Sequence, residues 1–308
     1  MSESAPEISI VVPIYNEEAT IERLMERLVT VLEDYGKPFE IVAVDDGSRD
    51  GSVELLRKIR ARDARLRVIR LSRNFGQSPA LYAGFSQVRG KYAVMIDADL
   101  QNFPEDIPRL VEKLEEGYDM VSGWREDRHD SLLRKLFSRA LNWYVARITG
   151  VPLHDVGCAL KAFRRAHVDQ MAQFSHRCRY LPVDMAYLGG RIAEVKVQHA
   201  HRAEGVSKYS PIKLVRTAFD IITSVTAEPL QFIGITGWIF ALLGFAMSLR
   251  VAWYRLNNGD TGIEAVIAIF FFIAGIQLVA TGLTCEYISR LYVEVQKKPY
   301  FIIREELE

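Results

Sequence analysis

Two carboxylates stand one residue apart, Asp97 and Asp99, where the apolar run of "YAVMIDADLQ" gives out. Two more polar clusters end apolar runs in the same way, "PIYNEE" from Pro13 and "VDDGSRDGS" from Val44. Acidic groups beside an anionic ligand repel it unless a cation stands between them. The spacing of Asp97 and Asp99 suits Mg2+ or Mn2+, hard ions that favour carboxylate oxygens and bridge readily to a diphosphate. Such an ion offsets charge on a leaving group as a Lewis acid. A DxD alone is a weak signal; a buried run before it and two further acidic run-ends make it a strong one. "DDGS" also reads as an Asx turn leading into the helix that starts near Ser52, which does not exclude ligand contact.

These clusters need a scaffold that brings them to one edge. The first 209 residues alternate apolar runs with amphipathic ones: "ISIVVPIY", then "EEATIERLMERLVTVLEDYG" stopped by Gly36, then "FEIVAVDDGS", "SVELLRKIRARD", "LRVIRLS", "SPALYAGFSQVRG" and "YAVMIDADL". This β-α rhythm with apolar strands predicts an α/β fold whose mostly parallel sheet is covered on both faces. Ligands of such sheets sit at the carboxyl ends of the strands, where the loaded clusters fall. Pro104, with Glu105 and Asp106, is expected to open the next helix.

Beyond residue 209 the composition changes. Pro229–Leu249 and Ala265–Cys285 carry no charged residue. At about 1.5 Å per residue each spans roughly 30 Å, the thickness of a bilayer's hydrocarbon core. Two transmembrane helices are expected, over 229–253 and 264–286, preceded by an amphipathic interfacial helix over 210–228 and followed by a tail over 289–308. Lys208, Lys213 and Arg216 before the first span, and Arg290, Lys297 and Lys298 after the second, place both ends in the cytosol by the positive-inside rule.

The 308 residues carry 39 basic and 39 acidic side chains, so the overall balance does not point to nucleic acid. Cys158, Cys178 and Cys285 are too few and too scattered for a disulfide framework or a CxxC zinc site. His154, His199 and His201 match no zinc spacing either. "WREDRHDSLLRKLFSR" gathers Arg125, Arg128, Arg134, Lys135 and Arg139, a basic stretch that is either a solvated helix face or a phosphate-binding one.

Taken together, "VVPIYNEE", "VDDGSRDGS" and "DADLQNFPEDI" resemble a family 2 glycosyltransferase with the nucleotide-sugar-binding GT-A fold. With "RNFGQSPALYAGF" between them and two C-terminal spans, the chain is similar to bacterial polyisoprenyl-phosphate glycosyltransferases and, more distantly, to dolichol-phosphate mannose synthase. The resemblance implies a nucleotide-sugar donor, a UDP-linked one, and undecaprenyl phosphate as acceptor. It places Pro13, Tyr15 and Glu17 around the nucleoside, Asp46 at the base or ribose, and Asp97 and Asp99 at the metal and diphosphate. Ala98 is small for close approach, and Gln101 completes the metal shell. It gives Arg125, Arg134 and Ser138 to the acceptor phosphate and sets Asp155 facing the acceptor, although Asp155 also suits a cap on the turn before Gly157. Arg202 and Lys208 fall on a loop that closes over the donor diphosphate, or in the case of Lys208 meets lipid headgroups.

"NFGQ", "DADLQNFPEDIP", "VGCALKAFRR" and "GVSKYS" look most like the undecaprenyl-phosphate 4-deoxy-4-formamido-L-arabinose transferases. Enzymes that make undecaprenyl-phosphate glucose or mannose share most of these stretches. A processive polysaccharide synthase would bring a QxxRW motif and more spans, neither of which is present. An inactive scaffold of the same fold would be favoured had Asp97 or Asp99 been lost. Localisation in the bacterial inner membrane and a homotetramer are the further expectations. The β-prone run Tyr300–Ile303 is expected to pair with a neighbouring subunit's sheet edge.

Overall fold

The computed structural model describes residues 5–125, 153–155, 157–172, 181–200, 263–296 and 298–307, with scattered positions at 143–150 and 235–257. Residues Met1–Lys208 together with Pro299–Glu308 form one compact unit, and Tyr209–Lys298 form a second.

In the first unit the apolar runs become strands β1 (Ile8–Ile14), β2 (Phe39–Asp45), β3 (Leu66–Leu71) and β4 (Tyr92–Met95). Strands β5 (Met120–Arg125), β6 (Lys161–Arg164), β7 (Ile192–Val197) and β8 (Ile303–Leu307) complete an 8-stranded sheet of order β7-β5-β6-β4-β1-β2-β3-β8. The central strands are buried on both faces, which is why they read as unbroken hydrophobic runs. The pairings β1–β2, β1–β4, β2–β3 and β5–β7 are parallel. Those of β4–β6, β5–β6 and β3–β8 are antiparallel.

Helix α1 (Glu18–Tyr35) buries Ile21, Leu24, Met25, Leu28 and Leu32, a stripe at three- and four-residue spacing. It ends at Gly36, whose φ of 75° and N–H bonds to the Leu32 and Glu33 carbonyls form a left-handed cap. Helices α2 (Ser52–Arg62) and α4 (Ile107–Glu115) follow the same amphipathic rule, a 3-10 turn at Pro104–Asp106 leading into α4. Helix α3 (Gln77–Phe85) is buried almost all round, and at Gly84 a Cβ would collide with Val11 in β1. Short helices α5 (Arg165–Ala172) and α6 (Leu181–Tyr187) share α3's face of the sheet.

Two features of this topology position a site. The chain fills β1, β2 and β3 in one direction and then returns to place β4 on the other side of β1, so the connections diverge above β1 and β4 and leave a crevice there. Because β6 runs antiparallel between β4 and β5, with Lys161 opposite Met95, the loop entering β6 opens at the same mouth.

The sheet edge beyond β3 is taken by this chain's own β8. Arg57 makes a two-pronged ion pair with Glu305, and Tyr300 packs edge-on against Tyr82 of α3. The pairing leaves no open ladder on β3 for a second copy.

Helix α7 (Ile263–Val295) lies in the second unit. Its window Phe272–Ser289 has a mean hydropathy of 1.3 with none of it buried, making it one helix long and apolar enough to cross a membrane. Its 33 residues extend about 50 Å, beyond a hydrocarbon core of roughly 30 Å. Of the first expected span only scattered positions are described, helical and with exposed apolar side chains such as Ile235, Leu242 and Trp253. The expected interfacial helix over 210–228 lies outside the described residues.

Candidate active site

The loops after β1 and β2 are latched to each other at the mouth. The Ser48 hydroxyl accepts from Asn16 N at 3.0 Å, Ser52 Oγ from Glu17 N at 3.1 Å, and Asn16 Oδ1 from Arg49 N at 2.9 Å. Asn16 takes a positive φ of 53° to make this turn. Pro13 and Glu17 are half-buried and Tyr15 is exposed at the rim of the crevice. Gly47 allows the third loop to close in: at φ 71° it lies so near Arg73 that a Cβ would be 2.6 Å from that residue's carbonyl carbon.

Asp46 is only 3% exposed, and its two carboxylate oxygens accept from the backbone N–H groups of Phe75 at 2.7 Å and Gly76 at 2.8 Å. Burial pushes its carboxyl pKa up despite these bonds. Asp46, expected at the base or ribose, uses these two bonds to pin the loop that begins α3. The next residue, Gln77, then extends its amide to Asp97, Nε2 donating to Oδ1 at 2.7 Å.

Asp97 and Asp99 leave β4 on the turn that follows Met95, with small, buried Ala98 between them and Leu100 at a φ of 59°. Asp99 Oδ1 accepts from Gln101 N at 3.1 Å, and Gln101's carbonyl accepts from Ala200 N at 3.0 Å. The residues leaving β7 thus clamp this turn, helped by the Asn102–His199 bridge. Burial, and next the charge of Asp99, push the Asp97 carboxyl up to about 6. A carboxyl whose ionisation is opposed by a neighbouring carboxylate's charge is a fit for a divalent ion, which relieves that repulsion. Among the described residues no group of three or more His, Cys, Asp or Glu converges, so a protein-only shell is not built here. An ion held by one or two carboxylates, with diphosphate and water filling the rest, matches the usual Mg2+ arrangement.

Across the crevice, Arg125 at the end of β5 forks onto Asp155, Nε to Oδ2 at 2.6 Å and Nη2 to Oδ1 at 2.9 Å. Asp155 is 2% exposed and the arginine side chain 14%. The two residues expected to face the acceptor are brought together as a pair. Lys161, 4% exposed, starts β6 between this pair and Asp97; its ammonium donates to the Cys158 carbonyl. Burial lowers the Lys161 pKa, while the charge of Asp155 and, more weakly, that of Asp97 pull it up.

Arg134, Ser138, Arg202 and Lys208 lie outside the described residues. Gln77 and Lys161 are site neighbours that sequence reasoning gave no role. Gln77 carried a signal, since "NFGQ" stands at a strand exit; Lys161 sits in an apolar run and carried none.

Residues 9–171 match glycosyl transferase family 2. Undecaprenyl-phosphate 4-deoxy-4-formamido-L-arabinose transferase from Pseudomonas paraeruginosa is 43% identical over 302 residues, covering 96% of this chain and 89% of its own. The protein of that name from Edwardsiella ictaluri is 39% identical, covering 96% of this chain and 93% of its own. Among solved structures, Mycobacterium tuberculosis glucosyl-3-phosphoglycerate synthase with phosphoglyceric acid superposes at a TM-score of 0.51 with 23% identity, over 70% of this chain and 79% of that one. The same synthase with Mg2+ and uridine-diphosphate gives 0.51 and 22%, over 71% and 79%. At that identity the likeness shows a shared GT-A-like α/β fold with a mixed, mostly parallel sheet, whereas the match over more than half of the sequence shows descent. The chain belongs to glycosyl transferase family 2.

Proposed function

We propose that this glycosyltransferase moves a single sugar from a UDP-linked donor to undecaprenyl phosphate, inverting the anomeric centre. The observation that carries the reading is the Asp97–Asp99 pair at the exit of β4, in the crevice that the switch in strand order opens. The acceptor follows from relatives named for undecaprenyl phosphate, whose likeness extends over 96% of the chain and so includes its apolar segments. The donor class is supported by the structural neighbour that holds Mg2+ and uridine-diphosphate.

The chain's own residues bind and orient. Pro13, Tyr15 and Glu17 line the nucleoside edge, and Asp46 fixes the loop that delivers Gln77 to Asp97. Asp97 and Asp99, with Gln101 nearby, would hold Mg2+ or Mn2+, which would neutralise charge on the departing diphosphate. A polyprenyl phosphate is already an anion, so it attacks without first losing a proton, and no strong general base is required. Asp155, locked in the fork of Arg125, orients and does not take a proton. Arg125, with Arg134 and Ser138, gathers the acceptor phosphate, while Arg202 and Lys208 close over the donor. Positioning and charge stabilisation then supply most of the rate.

The same proposal places the protein in the bacterial inner membrane. Two spans, α7 and the run over 229–253, leave the catalytic unit and both termini in the cytosol, and the assembly is a homotetramer. A monomeric mass in mild detergent would remove the last of these. The activity is tested by incubating the full chain with undecaprenyl phosphate and labelled UDP-sugars, the UDP-linked 4-deoxy-4-formamido-L-arabinose among them, with and without EDTA. An EDTA-sensitive labelled lipid is expected; no lipid product with any donor would count against the reading.

A further inference from the structure

Glu194 lies on β7, opposite Ser122 of β5 in the parallel register, with its side chain 11% exposed. Its carboxylate accepts from three donors that all belong to two consecutive residues of the loop entering β6. His154 N reaches its two oxygens at 2.8 and 3.0 Å, Asp155 N reaches Oε1 at 3.2 Å, and His154 Nδ1 stands 2.8 Å from Oε2. A carboxylate only accepts, so the ring proton is on Nδ1. That contact also holds the imidazole flat on Trp124, ring centroids 4.4 Å apart and planes 20° from parallel.

The consequence reaches Arg125. The loop that Glu194 grips carries Asp155, and Asp155 in turn fixes the guanidinium through the bonds at 2.6 and 2.9 Å. Trp124 and Arg125 are adjacent at the end of β5, so Glu194 governs both neighbours, one through the imidazole and one through the aspartate. The β5–β7 pairing runs from Met120–Ile192 to Arg125–Val197 and does not need this carboxylate. His154, which supplies two of its three donors, is exposed.

We propose that Glu194 is a positioning residue for the acceptor end of the site: it sets the His154–Asp155 loop, and through Asp155 the placement of the Arg125 guanidinium beside the acceptor phosphate. This rests on the reading that Arg125 faces that phosphate. Replacing Glu194 releases two backbone N–H groups and an imidazole, and the aspartate that they position shifts with them. A guanidinium displaced by about 1 Å is enough to lose much of an oriented contact.

The test uses the full-length protein in mild detergent, with equilibrium binding of radiolabelled undecaprenyl phosphate and, separately, of UDP with Mn2+. Glu194→Gln is expected to weaken undecaprenyl phosphate roughly tenfold while leaving UDP affinity within about twofold and the thermal midpoint almost unmoved. In Arg125→Ala the further change Glu194→Gln should add little, since both act through one fork. Wild-type lipid affinity in Glu194→Gln, equal losses of lipid and UDP, or full additivity with Arg125→Ala would each overturn the inference. Undiminished lipid binding by Arg125→Ala alone would overturn the underlying acceptor reading instead. Glu194→Asp, which keeps the charge on a shorter stem, answers the same questions should the amide variant fail to fold.

Discussion

Asp97 faces a difficulty that Asp99 makes worse: a half-buried carboxyl at the exit of β4, one residue from another, with the Gln77 amide as its hydrogen-bond donor. Its pKa of about 6 sets the direction of a pH effect. Above that value the carboxylate is ionised and Mn2+ affinity is expected to be flat; below it each bound ion displaces a proton, and affinity falls by up to about tenfold per pH unit. A Mn2+ titration of the protein at a series of pH values reads this, and unchanged affinity at pH 5 would contradict it. Asp97→Asn should cut transfer by about 10²-fold or more. Gln77→Ala, which leaves both carboxylates in place, should weaken Mn2+ by about tenfold. Glu105 is the contrast: its two-pronged pair with Arg27 is solvent-exposed, so Glu105→Ala should cost less than about 1 kcal/mol in a denaturant titration and leave turnover unchanged.

At the scale of elements, the strand and helix periodicities told most of the story in advance. Runs such as "ISIVVPI" can hardly be anything but buried strands, and the stripe from Ile21 to Leu32, stopped by Gly36, is helical on its face. The carboxylate pair was legible because its run-end position is itself a physical signal. What the sequence hid was direction and pairing. Nothing in "LKAFRR" says that β6 runs antiparallel, yet this reversal is what brings Asp155 and Lys161 to the mouth of a mostly parallel sheet. Nor does single-residue chemistry show that Arg125 and Asp155 would find each other, because a salt bridge across 30 residues is a property of the fold. The tail shows the same limit: β-propensity marks a run that will pair but not which edge it meets. Since β8 covers β3 and packs Tyr300 on α3, deleting 299–308 should lower the thermal midpoint by on the order of 5 °C and promote aggregation through the bared edge, as light scattering would show. A truncated protein as stable and monodisperse as the full chain would contradict that role.

Considered whole, the molecule joins a GT-A unit to a segment that contains α7, an apolar helix whose Phe270, Leu278 and Val279 are exposed. Side chains of that kind are at home in lipid and costly in water. The pairing of a sugar-transferring unit with an apolar segment is what an enzyme needs if its acceptor is a phosphate on a membrane-dissolved chain. The central claim is metal-dependent transfer of one sugar to that phosphate, and its most direct test is the mass of the lipid product. Wild-type protein with Mn2+, undecaprenyl phosphate and the matching UDP-sugar should yield undecaprenyl phosphate heavier by a single glycosyl unit, and neither EDTA-treated protein nor Asp97→Asn should yield it. A polymeric product, or equal product from Asp97→Asn, would contradict the account.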